Sequence, residues 1–240
     1  MCGRFKLTID GQDLAALFGP DELVELAELL NSTSRYNIAP TQNVAMLRFA
    51  ANAPFRQLAF VRWGFVPAWA REITPAAPLI NARLETVDEK PTFRSSFRTR
   101  RCLIPADGFY EWRRSTDKQP FVFQLPDERP FAFAGLWDRW QGPDGQVIES
   151  CAMLTTEANP VMAPIHHRMP ILLPPTTFDA WLDPKEQDPE RIRSILETNQ
   201  CDQLVARAVS TRVNKVVHDD PACLAPPEPP TLPREMTLFD

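Results

Sequence analysis

The 240 residues are enough for a single domain with a hydrophobic core, since 44% of them are hydrophobic. The 25 prolines against 8 glycines argue against an all-helical fold, because proline removes a backbone donor and interrupts helices. The formal net charge of −5 argues against a nucleic-acid binder that is basic over its whole surface, so a DNA-binding surface would have to be local.

Cysteine usage and the lack of long apolar runs limit the class of protein. The five cysteines are odd in number and widely scattered, and they contain no Cys-x-x-Cys pair. Adjacent His166 and His167 lack the spacing of a structural zinc site, so we expect no disulfide scaffold, no metal and no cofactor. The first twenty residues show no signal peptide, and no segment is long enough to span a membrane. We therefore expect a monomeric cytoplasmic protein with no membrane partner.

The first part of the chain mixes helix with short strands. Residues 12–30 have apolar positions at helical spacing, interrupted by Gly19-Pro20. The sequence then predicts a loop at 35–42, strands at 44–50 and 56–63, and a helical segment within 85–99.

From residue 101 onward, strands follow one another with turns between them. The strand-like runs are RCLIPA (101–106), GFYEW (108–112), PFVFQL (120–125), FAFAGLW (131–137), VIESCAMLTT (147–156) and, after helical segments at 178–182 and 189–199, LVARAVS (204–210). Short strands joined mostly without helices predict an α+β fold in which mainly antiparallel sheet forms a barrel or folds over. One domain would span residues 2–221, and the proline-rich, acidic segment 222–240 would be a poorly ordered tail.

Cys2 directly follows the initiator methionine, and a small second residue usually permits removal of that methionine. An N-terminal cysteine carries an amine of pKa about 7.7–8.0 and a thiol of pKa about 8.5, so both are partly reactive near neutral pH. The amine can form a Schiff base with an aldehyde, and the thiol can then close a five-membered thiazolidine ring. The alternative is that Cys2 is an incidental residue at a frayed terminus.

Other candidate residues lie far downstream. Asn81 and Arg83 form a polar pair directly after an apolar run, and Glu111 lies among aromatic residues in GFYEW. Desolvation there would raise the pKa of Glu111 and suit it to proton transfer, although a glutamate on an edge strand facing water is equally consistent. His166 and His167 stand in IHHRMP, where a core or surface role is the alternative to a catalytic one.

Aromatic and basic residues in the middle of the chain could contact DNA. Trp63, Phe65, Trp69 and Trp112 could stack against unpaired bases, or they could belong to the core. Residues 83–114 contain eight basic and five acidic side chains, which fits either a local basic groove or a solvated arginine-rich face.

These segments together resemble the SRAP family, the SOS response-associated peptidases or abasic site processing proteins. The resemblance runs in order through MCGRF, RYNIAPTQ, WGFVPAW, PLINARLET, FRSSF, RRCLIPADGFYEW, TTEANP, IHHRMPILL and VSTRVNKV. Nine strings in the family's order make the resemblance specific as far as about Pro221. It implies a bifurcated, mainly antiparallel β-sheet closed into a pseudo-barrel with peripheral helices.

The resemblance also implies an activity and a set of site residues. The protein would sense abasic sites in single-stranded DNA and bond to the opened sugar through Cys2 after Met1 is removed. The implied catalytic residues are Cys2, Asn81, Glu111 and His166, and the implied DNA contacts are Arg4, Trp69, Arg83 and Arg168. Asn81 would hold the terminus and the opened sugar, Glu111 would orient the amine and shuttle protons, and His166 would promote ring opening. Trp69 would wedge against the bases that flank the lesion, and the arginines would contact phosphates.

Two points stay open at this stage. His167 occupies a position where relatives often have an acidic residue, which weakens the choice of His166, although His166 is favoured because it follows the isoleucine of the motif. A cysteine-type peptidase acting on protein substrates beyond its own Met1 would share Cys2 and Glu111, whereas a non-catalytic single-strand binder would not need Cys2. A lyase outcome is also conceivable, because a Schiff base without ring closure would allow β-elimination and nick the DNA.

Overall fold

The computed structural model describes residues 2–9, 11–19, 34–49, 56–73, 77–114, 118–197 and 203–228. Its strands are β1 (Phe5–Leu7), β2 (Arg35–Ile38), β3 (Asn43–Phe49), β4 (Arg56–Trp63), β5 (Asn81–Arg83), β6 (Arg101–Ala106), β7 (Gly108–Trp112), β8 (Pro120–Gln124), β9 (Phe131–Gln141), β10 (Val147–Glu157), β11 (Arg168–Pro170), β12 (Leu172–Leu173) and β13 (Val205–Ala208). Its α-helices are α1 (Gly11–Phe18), α2 (Arg94–Thr99), α3 (Phe178–Leu182) and α4 (Pro189–Leu196). Short 3-10 turns lie at Leu84–Thr86, Pro175–Thr177, Thr211–Asn214 and Pro221–Leu224.

Five strands close into a barrel. β3 pairs with β4 and β6, β9 pairs with β6 and β10, and β10 pairs with β4, which completes the ring. The β4–β10 pairing is parallel and the other four are antiparallel. Fully buried side chains such as Leu103 and Phe133 lie on its strands, so removal of apolar surface from water favours closure.

A second, antiparallel sheet has the strand order β13-β8-β7-β1-β2. It packs on the barrel through β1, where the Phe5 ring meets the Trp63 ring edge-on at 5.3 Å and the Phe133 ring at 5.9 Å. Aromatic contacts of this geometry add to the hydrophobic stabilisation of the interface. β1, a strand of the second sheet that begins shortly after Cys2, is therefore fixed against the barrel.

The architecture confirms the predicted fold class, an α+β arrangement in which mainly antiparallel sheet closes into a pseudo-barrel with short peripheral helices. Strands β3, β4, β6 to β10 and β13 lie at the predicted positions, because each falls in a strand-like run of the sequence and turn signals separate several of these runs. The expected loop at 35–42 was wrong for its first four residues, which form β2 because β1 supplies them with a partner. The first part of the predicted 12–30 helix is α1, and residues 20–30 lie outside the described residues.

The described structure continues past the domain boundary expected at residue 221. The turn Pro221–Leu224 buries Cys223 against Val213 and Tyr110, so the first residues of the predicted tail pack on the second sheet. The described range ends at residue 228. Within the described ranges, the structure has no helix that is both long enough and apolar enough to cross a membrane.

Candidate functional site

The residues around Cys2 form the candidate site. The Cys2 side chain is fully buried and its thiol is in no disulfide. The main chain of the same residue is held from a distant strand, because Asn81 Nδ2 donates to the Cys2 carbonyl oxygen over 2.9 Å. Cys2 therefore has a fixed place in the fold and is not at a frayed terminus.

Asn81 is the first residue of β5 and pairs in parallel with Met153 of β10. Its Nδ2 is committed to Cys2, while its Oδ1 is buried and lacks a hydrogen-bond partner among the residues that the structure describes. A buried amide oxygen without a donor is costly, so this atom is suited to accept a hydrogen bond from a bound group. Arg83, two residues along the strand, is exposed and extends from the same face.

Glu111 lies on β7 beside the first residues of the chain. Phe5 pairs with Phe109, and the Tyr110 N–H donates to the Arg4 carbonyl over 2.9 Å, so the antiparallel register carried one step further sets Glu111 opposite Gly3. The side chain is 4% exposed, and burial raises the pKa of its carboxyl. A carboxyl with a raised pKa beside the terminus can give and take protons near neutral pH.

His166 is held in the loop between β10 and β11. His166 Nδ1 lies 3.0 Å from the backbone N–H of Arg168, which can donate to it, and 3.1 Å from the carbonyl oxygen of the same residue, which can accept from it. The Arg168 backbone therefore holds the imidazole ring in either tautomer. Burial lowers the pKa of His166, which favours the neutral ring, whereas the neighbouring His167 is exposed. The geometry thus separates the two histidines that the sequence left ambiguous.

Arg168 is buried and already engaged. Its two terminal nitrogens donate to both carboxylate oxygens of Glu85 at 2.8 Å, and Nη2 also donates to the Thr155 carbonyl at 2.8 Å. Partial burial acts to raise the pKa of Glu85, but the hydrogen bond and charge of Arg168 outweigh it, and the pKa is lowered. Arg168 therefore fixes the backbone that contacts His166.

The pKa values of Glu111 and His166 are shifted by the same surroundings. Burial has the largest effect on the pKa of Glu111 and of His166, and exposed Arg114 lowers both pKa values. The positive charge at the amino terminus of the chain lowers both as well. The same positive charges thus lower the pKa of Glu111 on β7 and of His166 in the β10–β11 connection.

Arg4 differs from the exposed arginines. Its Nη1 donates to Asn37 Oδ1 at 2.6 Å and to the Val213 carbonyl at 2.8 Å, and its guanidinium lies 5.6 Å from the Trp112 ring centroid. Burial lowers its pKa from the usual value. The contact with Val213 connects the N-terminal segment to the last described part of the chain, residues 203–228.

Trp69 stands in an open groove near the site. Its side chain is 65% exposed, which is unusual for tryptophan, and it lines a groove of about 380 Å³ together with Arg62 and Leu79. Leu79 bridges to Phe65 and lies two residues before Asn81. Of the other predicted aromatics, Trp63 and Phe65 are buried in the core, and Trp112 is half-buried.

The structure brings Cys2 and Asn81 into direct contact, sets Glu111 beside the terminus and leaves Arg83 and Trp69 exposed. Sequence reasoning missed Glu85 and Asn37, which hold Arg168 and Arg4. Neither could be found from local pattern, because each lies in a short segment and acts on a partner far along the chain. Among the described residues, no three His, Cys, Asp or Glu side chains cluster as a metal site would require.

Comparison with known proteins gives concordant matches. The family described as SOS response associated peptidase (SRAP) matches residues 1–216. Abasic site processing protein YoqW of Bacillus subtilis (strain 168) is 38% identical over 223 residues, covering 92% of this chain and 97% of that protein. YoaM, an abasic site processing protein of the same organism, is 39% identical over 217 residues, covering 89% and 93%. A crystal structure of a protein from Bacteroides thetaiotaomicron has a TM-score of 0.77 at 24% identity, covering 94% of this chain and 99% of its own, which supports the fold alone.

Proposed function

Because the chain belongs to the SOS response associated peptidase (SRAP) family, we propose that it senses abasic sites in single-stranded DNA and bonds to them covalently through Cys2. Two relatives are named abasic site processing proteins, which supports the handling of abasic sites. The observation that carries the proposal is the Asn81–Cys2 hydrogen bond, which holds residue 2 beside Glu111.

The first step is hydrolysis of the Met1–Cys2 peptide bond, which consumes one water and leaves a free α-amine on Cys2. This step is needed because an acylated nitrogen cannot form a Schiff base. Glu111 is suited to act as its base, since it lies across from Gly3 and burial raises the pKa of its carboxyl.

The second step joins protein and DNA. The neutral amine of Cys2 attacks the aldehyde carbon of the ring-opened sugar, and the resulting carbinolamine loses water to form an imine. The thiol sulfur then adds to the imine carbon while its proton passes to the nitrogen, which closes the thiazolidine ring. The net change is the loss of one water. Positioning of both reactants supplies much of the rate.

Side chains around Cys2 divide the proton transfers between them. Glu111 takes the proton of the ammonium and returns it to the departing hydroxyl group, a role that fits a carboxyl whose pKa is raised. His166, whose ring is held by the Arg168 backbone, assists opening of the closed sugar. The Asn81 Oδ1 atom, which has no partner in the described part of the chain, accepts a hydrogen bond from the opened sugar or the amine.

The exposed side chains near the site are the ones that can contact DNA. Exposed Arg83 binds a backbone phosphate beside the site, and exposed Trp69 packs against a base that flanks the lesion. The contacts of Arg168 favour positioning over phosphate binding, because both of its terminal nitrogens donate within the protein, whereas Arg4 uses only Nη1 in this way. A net charge of −5 limits the number of phosphate contacts and makes the salt dependence of binding moderate.

The test uses purified protein whose intact mass shows whether Met1 is absent. It is mixed with a single-stranded oligonucleotide that contains one abasic site, and with an undamaged copy, and both are run on a denaturing gel. We expect a heat-stable shifted band with the damaged strand alone. Cys2→Ala should remove the band, while Cys151→Ala, which deletes an equally buried thiol in the barrel wall, should keep it.

Other outcomes identify other functions. Nicked DNA without a shifted band would indicate a lyase. Unchanged strand binding by Cys2→Ala, with no adduct from the unaltered protein, would indicate a non-catalytic single-strand binder. Cleavage of added peptides in the absence of DNA would indicate a peptidase with substrates beyond its own terminus.

A further inference from the structure

The strand that follows Cys2 is short, and its register decides where Cys2 lies. β1 has three residues, and it pairs with β7 at Phe5 and Lys6. A shift of one residue would turn every side chain of this strand to the opposite face, which would move Cys2 away from Asn81 and Glu111. The contacts that hold β1 in register therefore also set the position of Cys2.

A β-bulge in β2 lies directly beside this strand. Phe5 pairs with Ile38 and Leu7 pairs with Arg35, so Tyr36 and Asn37 together stand opposite the single residue Lys6. Bulges leave unpaired backbone groups and redirect side chains, and they are frequent next to active sites. Here the two N–H groups of Tyr36 and Asn37 both donate to Asp219 Oδ1, at 2.5 and 2.8 Å.

Asp219 belongs to a segment that we call the C-terminal strap, residues 211–224. Asn37 is fully buried against this strap, and its Nδ2 donates to the carbonyl oxygens of Val213, Lys215 and His218 at 3.2, 3.1 and 2.6 Å. Its remaining polar atom, Oδ1, accepts the hydrogen bond from Arg4. Every polar atom of this side chain is thus used to join the strap to the N-terminal strand.

We propose that Asp219 and Asn37 are positioning residues for Cys2, with the strap acting as a clamp on the N-terminal strand. The path runs from the Asp219 carboxylate through the bulge to Asn37, then to Arg4, two residues from Cys2. The backbone carbonyl of Arg4 accepts a hydrogen bond from the backbone N–H of Tyr110, the neighbour of Glu111. The clamp therefore holds the amino terminus beside Glu111.

Two features make this more than general packing. The family match ends at residue 216, so Asp219 contributes from beyond it. The Asp219 carboxylate also serves two backbone donors and the Arg35 guanidinium at once, whereas a purely electrostatic surface pair would need only the arginine. The inference rests on the proposed reaction, since it describes how that reaction's nucleophile is held.

The experiment measures the single-turnover rate of adduct formation with an abasic oligonucleotide, at saturating DNA and as a function of DNA concentration. Asp219→Ala should slow the saturated rate by about 10- to 100-fold, with half-saturation changed by less than about two-fold, because a displaced nucleophile loses rate and not binding. Asp219→Asn should recover most of the rate, since an amide oxygen can still accept from both bulge N–H groups.

The matched control is Glu149→Ala. Glu149 also pairs with one arginine, Arg48, and its side chain is 27% exposed against 25% for Asp219, but it lies on the barrel away from the strap. Melting temperatures of all variants are recorded, and rates are compared at a temperature where each is folded. Equal rates for Asp219→Ala and Glu149→Ala, or an equal loss in Asp219→Asn and Asp219→Ala, would overturn the positioning role. Absence of any adduct with the unaltered protein would instead overturn the proposed function.

Discussion

Asn81 donates a hydrogen bond from its side-chain amide to the carbonyl oxygen of Cys2, across 79 positions of the sequence. Asn81→Asp keeps the shape of the side chain but replaces the donor with an oxygen that repels the carbonyl. We expect the rate of adduct formation to fall by about 100-fold, because the terminus loses its orientation. Single-turnover gels measure this, with Asn43→Asp on the barrel surface as the control that should stay near the unaltered rate.

Glu111→Gln should separate activity from stability. Loss of the carboxylate removes general acid–base catalysis and should slow adduct formation by about 10²–10⁴-fold. Burial raises the folded-state pKa of Glu111, so the protonated form favours folding and its stabilisation is lost as pH rises through that pKa. Glutamine mimics the protonated form at every pH. The variant should therefore melt at a higher temperature than the unaltered protein near pH 8, and this gain should disappear near pH 4.

The melting comparison has a clear contrary result. A variant that melts lower than the unaltered protein at pH 8 would mean that the ionised carboxylate stabilises the fold. Glu149→Gln provides the control, because it removes a carboxylate that pairs with Arg48 on the barrel.

Much of the fold could be predicted from the sequence, because the long strands of the barrel carry their own signal. β7 and β8 consist mostly of β-branched and aromatic residues, and β9 and β10 are long strands with apolar runs, so these strands need no tertiary information. β1, β2 and β5 were not predicted, since each is a three- or four-residue strand that exists through its partners. The sequence indicated Cys2 and Glu111 as candidate catalytic residues from their residue types and neighbours. It could not indicate Asn37 or Glu85, because their roles are contacts with residues far along the chain.

His166 and His167 can be distinguished by a pair of substitutions. His166 is 8% exposed and bonded to the Arg168 backbone, whereas His167 is exposed and its ring lies 4.6 Å from that of His166. We expect His166→Ala to slow adduct formation by about 10²–10⁴-fold and His167→Ala to change it by less than about three-fold. A larger loss in His167→Ala would reassign the role to the exposed ring.

Arg168→Lys distinguishes a positioning role from a phosphate contact. Lysine cannot reproduce the two-pronged pairing with Glu85, so the backbone at His166 should loosen and the rate should fall by about ten-fold or more. Because lysine keeps the positive charge, the salt dependence of DNA binding is measured on Arg168→Gln, where it should stay the same since no phosphate contact is lost. A reduction of the salt slope by about one unit in Arg168→Gln would instead identify Arg168 as a phosphate ligand. Arg48→Lys, which breaks an equivalent two-pronged pair with Glu149, is the control.

Trp69→Ala should affect DNA binding and leave the fold intact. The indole is 65% exposed, so its removal creates no core cavity, and we expect the free energy of unfolding to change by less than about 0.5 kcal/mol. Stacking of one base on an aromatic side chain contributes about 1–3 kcal/mol, so binding of a single-stranded oligonucleotide should weaken by about 5- to 150-fold. Fluorescence anisotropy with a labelled strand measures the affinity, and Trp69→Phe should retain most of it because an aromatic face remains. If Trp69→Ala binds as tightly as the unaltered protein, the exposed indole does not contact bases, and the groove that it lines has no part in holding the strand.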